Sequence, residues 1–337
     1  MKNSGYEKIA EILSNKNNIL IIQGDNPDGD SLGSSLALEQ ILGDLGKSPF
    51  MYCSVDIPGY LHYLPGWDRV SNVLPKEVDA SIIVDTSTMT LIEKLIHSNG
   101  QRLIASKPCL VLDHHQTVSN TIPFATSVIT DPHMSSTGEL IFNIAKFLNW
   151  PLSIKTLEFL MNALLADTQG LSNSLTTADT YRVMAYMIES GVNRPALEEA
   201  RRKQTKMSQS IFKYKASLIT RTEFYADGQL AYVSLPQSEI NEYSPSYNPP
   251  ALIQPDMLQT EGVGICVVLK HYADGHVTAS IRCNTNFPIA AKLAEQFGGG
   301  GHDYAAGFKL TDSQETEEIK RKIISATIYL LTTTRVK

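Results

Sequence analysis

Apolar residues in the first half of the chain occur in two patterns, short continuous runs and helical spacing. Short runs rich in isoleucine and valine occur at 19–23, 81–84 and 109–112, and each is long enough for a buried strand. Between the first two runs, residues 31–45 repeat apolar positions at helical spacing. Strands that alternate with helices predict an α/β fold with an open parallel sheet flanked by helices. Each predicted strand is followed by a turn that carries an aspartate.

The pattern changes in the second half of the chain. Residues 193–218 are charged and helical, and β-like runs follow at 228–235, 263–270 and 277–282. These runs predict a smaller second α/β domain with a mixed sheet, separated from the first domain by a cleft. The expected limits are a first domain at 1–192, a helical linker at 193–218 and a second domain at 219–337.

The composition is that of a globular protein. Of the 337 residues, 42% are hydrophobic and 19% are charged, which excludes wholesale disorder. The formal net charge of -6 argues against a protein that coats long nucleic acid. We expect a cytoplasmic protein without membrane contact, because the sequence shows neither a bilayer-spanning apolar run nor the apolar core of a secretory signal.

The turn after the first predicted strand, Asp25-Asn26-Pro27-Asp28-Gly29-Asp30, leads directly into a helix. Residue types that favour turns are enough to explain such a sequence. Asp28 and Asp30 also place two carboxylates near one point, as hard divalent cations require. The helix N-terminus beyond them favours phosphate. A plain turn and a metal site are therefore both open at this stage.

Further acidic and imidazole groups follow the other predicted strands. Asp85 comes after 81–84, Asp113-His114-His115 comes after 109–112, and Asp167 ends a predicted helix. Taken singly, Asp85 and Asp167 suit a helix cap as well as a ligand. The carboxyl ends of parallel strands meet at one edge of a sheet, so these side chains can converge. Together they predict a cation site with carboxylate and imidazole ligands.

Four consecutive glycines, residues 298–301, precede His302 in the second domain. A flexible linker is one interpretation of this run. An anion site is the other, because backbone amides without Cβ atoms can close around an anion and His302 can donate a further hydrogen bond. Arg282, on the preceding predicted strand, can meet a phosphate as a planar two-pronged donor.

Taken in order, the segments NPDGD, VDTS, LDHH, ADT and GGGGH-x-x-AAG resemble the DHH phosphoesterase family with a C-terminal DHHA-type domain. Within that family, the chain is most similar to the branch of oligoribonucleases and 3'-phosphoadenosine-5'-phosphate phosphatases. The resemblance implies metal-dependent hydrolysis of phosphoester bonds in a small nucleotide. The expected substrates are short 5'-phosphorylated oligoribonucleotides or a 3',5'-bisphosphonucleoside. A homodimer is a further expectation from the resemblance.

The resemblance also implies the roles of individual residues. Two divalent cations are expected, Mn²⁺ first and Mg²⁺, Co²⁺ or Zn²⁺ as alternatives. The implied metal ligands are Asp28, Asp30, Asp85, His114 and Asp167. The implied catalytic group is Asp85, which bridges the two cations, together with Asp113, His114 and His115, and Asp113 would orient His114. The implied contacts to the substrate phosphate are His115, Arg282, Gly299, Gly300, Gly301 and His302.

Two positions depart from the family pattern. Gly24 stands where the family has a metal-binding histidine, and Gln169 stands where the related branch has glycine. Asp25 or water would fill the place of the missing ligand, or that metal site would bind weakly. A nucleotide-binding protein with weakened or lost catalysis is therefore an alternative function. Inorganic pyrophosphatase and exopolyphosphatase-like activities are further alternatives.

Overall fold

The computed structural model describes residues 2–98, 100–115, 121–204, 206–243, 248–311 and 315–334, without the side chains of Lys2, Asn3, His302 and Thr334. The chain forms two compact units, one up to residue 206 and one from residue 207. This division falls inside the segment 193–218. The expected domain limits at 192 and 219, and the expected cleft, stay predictions.

A parallel sheet forms the centre of the first unit. Its strands are β1 (Asn18–Ile22), β2 (Ser48–Tyr52), β3 (Ala80–Val84), β4 (Cys109–Asp113) and β5 (Ser127–Thr130). They lie in the order β2-β1-β3-β4-β5, and every neighbouring pair is parallel. Both faces are covered. Along β1, Ile19 and Ile21 enter one apolar core, while Leu20 and Ile22 enter another. Burial on both faces explains the continuous apolar runs in the sequence.

Helices flank this sheet. Those of the first unit are α1 (Lys2–Ser14), α2 (Gly29–Asp44), α3 (Glu93–His97), α4 (Gly100–Ala105), α5 (Thr137–Phe147), α6 (Ile154–Asp167), α7 (Ala178–Glu189) and α8 (Arg194–Gln204). The helices α2 and α6 pack closely because glycines face the contact. A Cβ on Gly29 would lie 2.5 Å from Ala166 Cβ, and one on Gly33 would lie 2.7 Å from the Phe159 carbonyl oxygen. This close packing fixes the end of α6 beside the start of α2.

The second unit contains a mixed sheet. Its strands are β6 (Glu223–Tyr225), β7 (Leu230–Leu235), β8 (Ile265–His271), β9 (Val277–Cys283), β10 (Gly300–His302) and β11 (Ala305–Leu310), and its helices are α9 (Gln209–Thr220), α10 (Gln237–Tyr243), α11 (Pro249–Gln259), α12 (Ala290–Glu295) and α13 (Thr316–Thr334). The strand order is β10-β11-β9-β8-β7-β6, with β7 and β8 parallel and the other pairs antiparallel.

The predicted fold class is confirmed in both units: a parallel sheet with flanking helices comes first and a mixed sheet second. In the first sheet, the sequence analysis missed two strands, β2 and β5. In the part of the chain that the structure describes, the helices are too short or too polar to span a bilayer.

Candidate metal centre

The strand order brings three loops to one edge of the first sheet. Because β3 lies between β1 and β4 and all three are parallel, the loops that follow them leave from the same edge. Asp85 and His114 lie in the loops after β3 and β4, and Asp30 lies in the first turn of α2, directly after the loop that follows β1. Asp167, the last residue of α6, joins them because α6 packs along α2. Four residues from distant parts of the sequence thus form one cluster.

His114 lies at the centre of this cluster. Its Nε2 is 2.9 Å from Asp167 Oδ2 and 3.8 Å from both Asp30 Oδ2 and Asp85 Oδ1. Its Nδ1 is 3.3 Å from the Met134 carbonyl oxygen. A carbonyl only accepts, so Nδ1 carries the proton and Nε2 of the neutral ring keeps its lone pair. Nε2 is buried and has no hydrogen bond of good geometry within the described residues. This nitrogen is therefore placed as a metal ligand would be.

The pKa of His114 reflects these surroundings. Burial alone would lower the pKa, but the carboxylates of Asp167 and Asp30 outweigh it and raise the pKa to about 9. The acidic cluster thus favours a positive charge at this nitrogen. A divalent cation supplies that charge in place of the proton.

Asp30 is fully buried and also holds the start of α5. Its Oδ2 accepts the Thr137 amide at 2.7 Å, and its Oδ1 accepts the Gly138 amide and the Ser34 hydroxyl, each at 3.0 Å. A carboxylate offers about four lone-pair sites, so these three bonds leave about one for a cation. Burial, followed by the charge of Asp167, raises the pKa of Asp30 to about 7. Asp30 is therefore both a structural cap and a candidate ligand.

Asp85 has an uncommon backbone conformation at the end of β3. Its φ is 60°, in the left-handed region that favours glycine and that aspartate enters more readily than most residues. The Thr137 hydroxyl donates to its Oδ1 at 3.0 Å. Burial comes first and the charge of Asp30 second among the causes that raise its pKa well above the usual value. Strained backbone is common at functional sites, which agrees with a ligand role.

Asp28 lies next to this group and caps α2. Its Oδ1 accepts the amides of Asp30 and Ser31, each at 3.0 Å, and the Ser31 hydroxyl accepts the Asp28 amide in return. The turn interpretation of this segment and the ligand interpretation therefore apply to the same residue. The assignment of Asp28 as a metal ligand stays a prediction.

The described residues contain two groups whose ligand atoms lie within 4.8 Å of one another. One group is Asp30, His114 and Asp167, and the other is Asp85, His114 and His115. Oxygen ligands with one or two imidazoles suit Mn²⁺, Zn²⁺ and related divalent cations. The residues present therefore fit divalent cations. Asp85 lies in a group with His115, which we expected to take part in catalysis and to contact the substrate phosphate but not to bind metal.

Asp113 orients His115 and not His114, contrary to our expectation. Its Oδ1 accepts both the His115 amide, at 3.1 Å, and the His115 Nδ1–H, at 2.7 Å. His114 is instead oriented by the Met134 carbonyl. The bond from Asp113 raises the pKa of His115, whose side chain is 53% exposed. A half-exposed imidazolium beside the cluster can bind a phosphate or donate a proton.

The segment around Gly24 borders the cluster. A Cβ on Gly24 would lie 3.4 Å from the Leu91 carbonyl oxygen and 3.7 Å from Thr86 Cγ2, so a larger residue can begin there with little shift. Asp25 is partly committed, because its Oδ2 accepts the Lys94 amide at 2.9 Å. Its Oδ1 is buried without a hydrogen bond in the described part of the chain. Asp25 belongs to neither of the two ligand groups.

Among the predicted substrate contacts of the second unit, Arg282 lies on β9 and residues 300–302 form β10, with β11 between these two strands and Gly299 directly before β10. Arg282 on β9 is paired with Ala305 on β11, which is paired with His302 on β10. Arg282 is exposed, and its Nη1 donates to the Ile281 carbonyl at 2.9 Å. The side chain of His302 lies outside the described residues. The roles of Arg282 and His302 stay predictions.

The glycine run has structural reasons of its own. A Cβ on Gly299 would lie 2.2 Å from the Gly307 carbonyl oxygen, and one on Gly301, with φ 144°, would lie 2.6 Å from the Ala305 carbonyl oxygen. The Gly299 amide donates to the Ala294 carbonyl of α12. Gly300 has open space around it. The run is therefore neither a free linker nor a set of unused amides, and phosphate contact by Gly299, Gly300 and Gly301 stays a prediction.

Sequence reasoning missed two supporting residues of the cluster. Thr137 donates its amide to Asp30 and its hydroxyl to Asp85, and Met134 orients His114 through its carbonyl. Thr137 had a signal, since it lies in the segment Ser136-Thr137-Gly138-Glu139, whose residue types are typical of a capped helix start. Met134 had none, because a backbone carbonyl acts independently of the side chain.

Comparison with known families agrees with this architecture. Residues 18–166 match the DHH family, N-terminal domain, and residues 250–328 match the DHHA1 domain. The chain is therefore a DHH family protein with a C-terminal DHHA1 domain, as its motifs predicted. The first match covers the parallel sheet with Asp28, Asp30, Asp85 and His114, and the second covers the glycine run.

Individual relatives show which proteins of the DHH family this chain is similar to. The chain is 28% identical over 305 residues to the bifunctional oligoribonuclease and PAP phosphatase NrnA of Thermus thermophilus, covering 90% of this chain and 87% of that protein. It is 21% identical to the cyclic-di-AMP phosphodiesterase PdeA of Listeria monocytogenes, covering 96% of this chain and 49% of that protein. An exopolyphosphatase-related protein from Bacteroides fragilis shares the fold, with a TM-score of 0.79, 20% identity and 97% of each chain covered. The chain thus falls among the DHH phosphoesterases.

Proposed function

We propose that the chain hydrolyses phosphoester bonds in small nucleotides, with two divalent cations bound at the cluster around His114. The substrates are short 5'-phosphorylated oligoribonucleotides, a 3',5'-bisphosphonucleoside, or both. The observation that carries this proposal is the placement of His114 Nε2 within 3.8 Å of carboxylate oxygens from Asp30, Asp85 and Asp167. The NrnA relative, named for both activities, supports the choice of substrate.

Five residues would hold the two cations. Asp30, His114 and Asp167 would bind one of them, and Asp85 and Asp28 would supply the remaining carboxylates, with Asp85 as the shared ligand. When bound, such cations polarise phosphoryl oxygens and lower the pKa of water, which permits an in-line displacement. Mn²⁺ is the proposed metal, because carboxylates with one imidazole suit it.

The residues of the chain prepare this chemistry in three ways. The Met134 carbonyl fixes the tautomer of His114 so that Nε2 faces the carboxylates. Asp113 holds His115 at 2.7 Å and favours its protonated form, which can bind a substrate phosphate or protonate a leaving oxygen. Asp30 is fully buried and the side chain of Asp85 is nearly so, and the low polarity of these surroundings strengthens the interaction of their charges with a bound cation.

The binding-only alternative is not favoured. It rested on Gly24, whereas the cluster itself keeps its carboxylates and His114 together. Two relatives, which align over 90% and 93% of this chain, are named as enzymes. Pyrophosphatase and exopolyphosphatase-like activities have no specific observation in their favour, since the Bacteroides structure shows the fold alone.

The test is incubation of the purified chain with Mn²⁺ and either 5'-phosphorylated diadenylate or adenosine 3',5'-bisphosphate, with AMP measured by chromatography. We expect release of AMP that chelation stops. Asp85→Asn should abolish it, and the exposed Asp44→Asn on α2 is the matched control that should retain it. Absence of AMP from both substrates, or full activity in Asp85→Asn, would contradict the proposal.

A further inference from the structure

A cavity of about 540 Å³ lies in the first unit, directly beside the acidic cluster. Asp28 and Asp167 form part of its wall, and Tyr60, Gln169 and Arg194 form other parts. Its volume is within the range of pockets that bind small ligands, about 300 to 1,000 Å³. Neither the family motifs nor the cation chemistry accounts for this cavity.

One wall of the cavity carries two tyrosines with different tasks. The Tyr63 hydroxyl donates to Asn162 Oδ1, and Asn162 Nδ2 donates to the Gly29 carbonyl at 3.0 Å. Tyr63 therefore positions the turn that carries Asp28. Tyr60 remains 51% exposed although it is a large aromatic residue in the cavity wall. An exposed aromatic face beside a phosphate-processing centre suits a nucleobase, because bases stack on such faces.

The wall around Tyr60 is firmly held. Gln204 Nε2 of α8 donates to the Gly59 carbonyl at 2.8 Å, which ties α8 to the turn that carries Tyr60. Arg201 of α8 is paired with Glu198, with bonds of 2.9 and 2.8 Å, and both residues line the cavity. Arg194 adds a second guanidinium to this wall. The cavity wall thus combines an aromatic face with the guanidinium of Arg194 and the paired Arg201 and Glu198.

Gln169 occupies a backbone position that favours glycine. Its φ is 51°, and the next two residues, Gly170 and Leu171, also have positive φ, at 73° and 74°. The loop is fixed by Thr168, whose hydroxyl accepts the Leu171 amide at 3.0 Å. The side-chain amide of Gln169 is exposed in the cavity wall and makes no hydrogen bond within the described residues. A strained residue with an uncommitted amide points to a function beyond structure.

We propose that this cavity is the nucleoside subsite of the cluster, where Tyr60 stacks on a base and the amide of Gln169 hydrogen-bonds to the base edge or ribose. This inference rests on the proposed hydrolysis of small nucleotides. Gln169 is then a specificity-determining residue of this chain, present where glycine would relieve the backbone but supply no amide.

The first experiment combines a substitution with removal of a base. KM is measured with Mn²⁺ for 5'-phosphorylated diadenylate and for two abasic forms that lack either the first or the second base. Tyr60→Ala should raise KM for the intact dinucleotide about tenfold, from the loss of one stacking contact. For the abasic form whose missing base would occupy the cavity, the same substitution should change KM less than twofold. Tyr181→Ala, which removes a similarly exposed tyrosine outside the cavity wall, is the matched control.

The outcomes separate the two proposals. If the wild-type chain cleaves none of the three substrates, the proposed hydrolysis fails. If the wild-type chain cleaves them and Tyr60→Ala changes KM equally for the intact dinucleotide and for both abasic forms, the hydrolysis stands and the subsite is refuted.

A second variant tests Gln169. Gln169→Gly should raise the melting temperature by about 2 to 4 °C, because glycine accepts the left-handed backbone. It should also reduce the differences in KM among the four 5'-phosphorylated homodinucleotides by at least threefold. A higher melting temperature with an unchanged order and spread of KM would show that Gln169 has no role in specificity.

Discussion

The charge balance of the cluster predicts how stability depends on pH and on metal. In the absence of a cation, burial raises the pKa of Asp30 from 3.8 to about 7. A raised folded-state pKa means that the folded chain holds this proton more tightly than the unfolded chain does. The free energy of unfolding should therefore fall as pH rises from about 4 to about 7. A shift of about 3 pKa units corresponds to about 4 kcal/mol.

The titration of His114 should also lower the free energy of unfolding as pH rises, over a higher pH range. Its pKa is raised to about 9, so the stability that its positive charge contributes is complete below about 6.5 and is lost as pH rises through about 9. The metal-free protein should lose stability on both accounts between pH 5 and pH 9. Divalent cations should restore it, because they replace the protons on these ligands.

The assay is thermal unfolding in chelator and in saturating Mn²⁺, at several values between pH 5 and pH 8. The difference in melting temperature between the two conditions cancels pH effects elsewhere in the chain. For a unit of about 200 residues, about 4 kcal/mol corresponds to about 8 to 16 °C. We expect the metal-induced shift to grow by about this amount from pH 5 to pH 8. A shift that is absent, or equal at both pH values, would refute the reasoning.

Asp85→Asn tests the same charge balance, because removing a carboxylate from the cluster should stabilise the metal-free protein. Asparagine tolerates the left-handed backbone at this position and can still accept the Thr137 hydroxyl, while one buried negative charge disappears. Because the pKa of Asp85 is raised, the variant should melt at a higher temperature than the wild-type chain in chelator at the upper end of the pH range, and it should respond less to Mn²⁺. A lower melting temperature in chelator would show that the carboxylates do not destabilise one another.

Three further predictions concern single residues. Gly24→His should tighten Mn²⁺ binding, measured by calorimetry, and raise turnover, because a Cβ fits at this position and the ring would supply the histidine ligand of the family pattern. An unchanged affinity would mean that Asp25 or water already supplies this ligand. Gly29→Ala should lower the free energy of unfolding by about 1 to 3 kcal/mol in urea, because its Cβ would lie 2.5 Å from Ala166 Cβ; an unchanged midpoint would contradict the close packing of α2 and α6. Arg282→Ala should raise KM for a 5'-phosphorylated dinucleotide about tenfold with little change in kcat, whereas an equal effect from a substitution of another exposed β-sheet cation would argue against a phosphate contact.

The sequence predicted the central part of the first sheet because burial on both faces leaves continuous apolar runs. The strands β1, β3 and β4 have such runs, and the aspartates that follow them converge as parallel strands require. The strands β2 and β5 were missed because they lie at the edges of the sheet. Their residues alternate between exposed and half-buried over much of their length, and β2 contains Pro49. A short edge strand leaves too weak a pattern to recognise.

The partners of the site residues were harder to predict than the residues themselves. A serine followed three residues later by a glutamate, as at 136 and 139, is typical of a capping box, and Ser136 does cap α5 by accepting the Glu139 amide. The Glu139 carboxylate, however, accepts from the Ser135 amide and the Thr180 hydroxyl. Similarly, Asp113 bonds to His115 and not to His114. Residue types limit what a side chain can bond to, while the choice among neighbours depends on packing that a single sequence does not encode locally.

Asp30 has both a structural role and a proposed ligand role, and this affects which residues would persist in a related protein that has lost catalytic activity. Its carboxylate secures the first turn of α5 from a distant helix, and Asp28 closes the first turn of α2, so selection for folding alone would preserve both. An inactive descendant would thus still display the Asp-x-Asp signature. Asp167 and the Nε2 of His114 have no comparable structural task among the described contacts. In a genome survey, an aspartate at position 167 would therefore distinguish active from inactive family members better than Asp28 and Asp30 would.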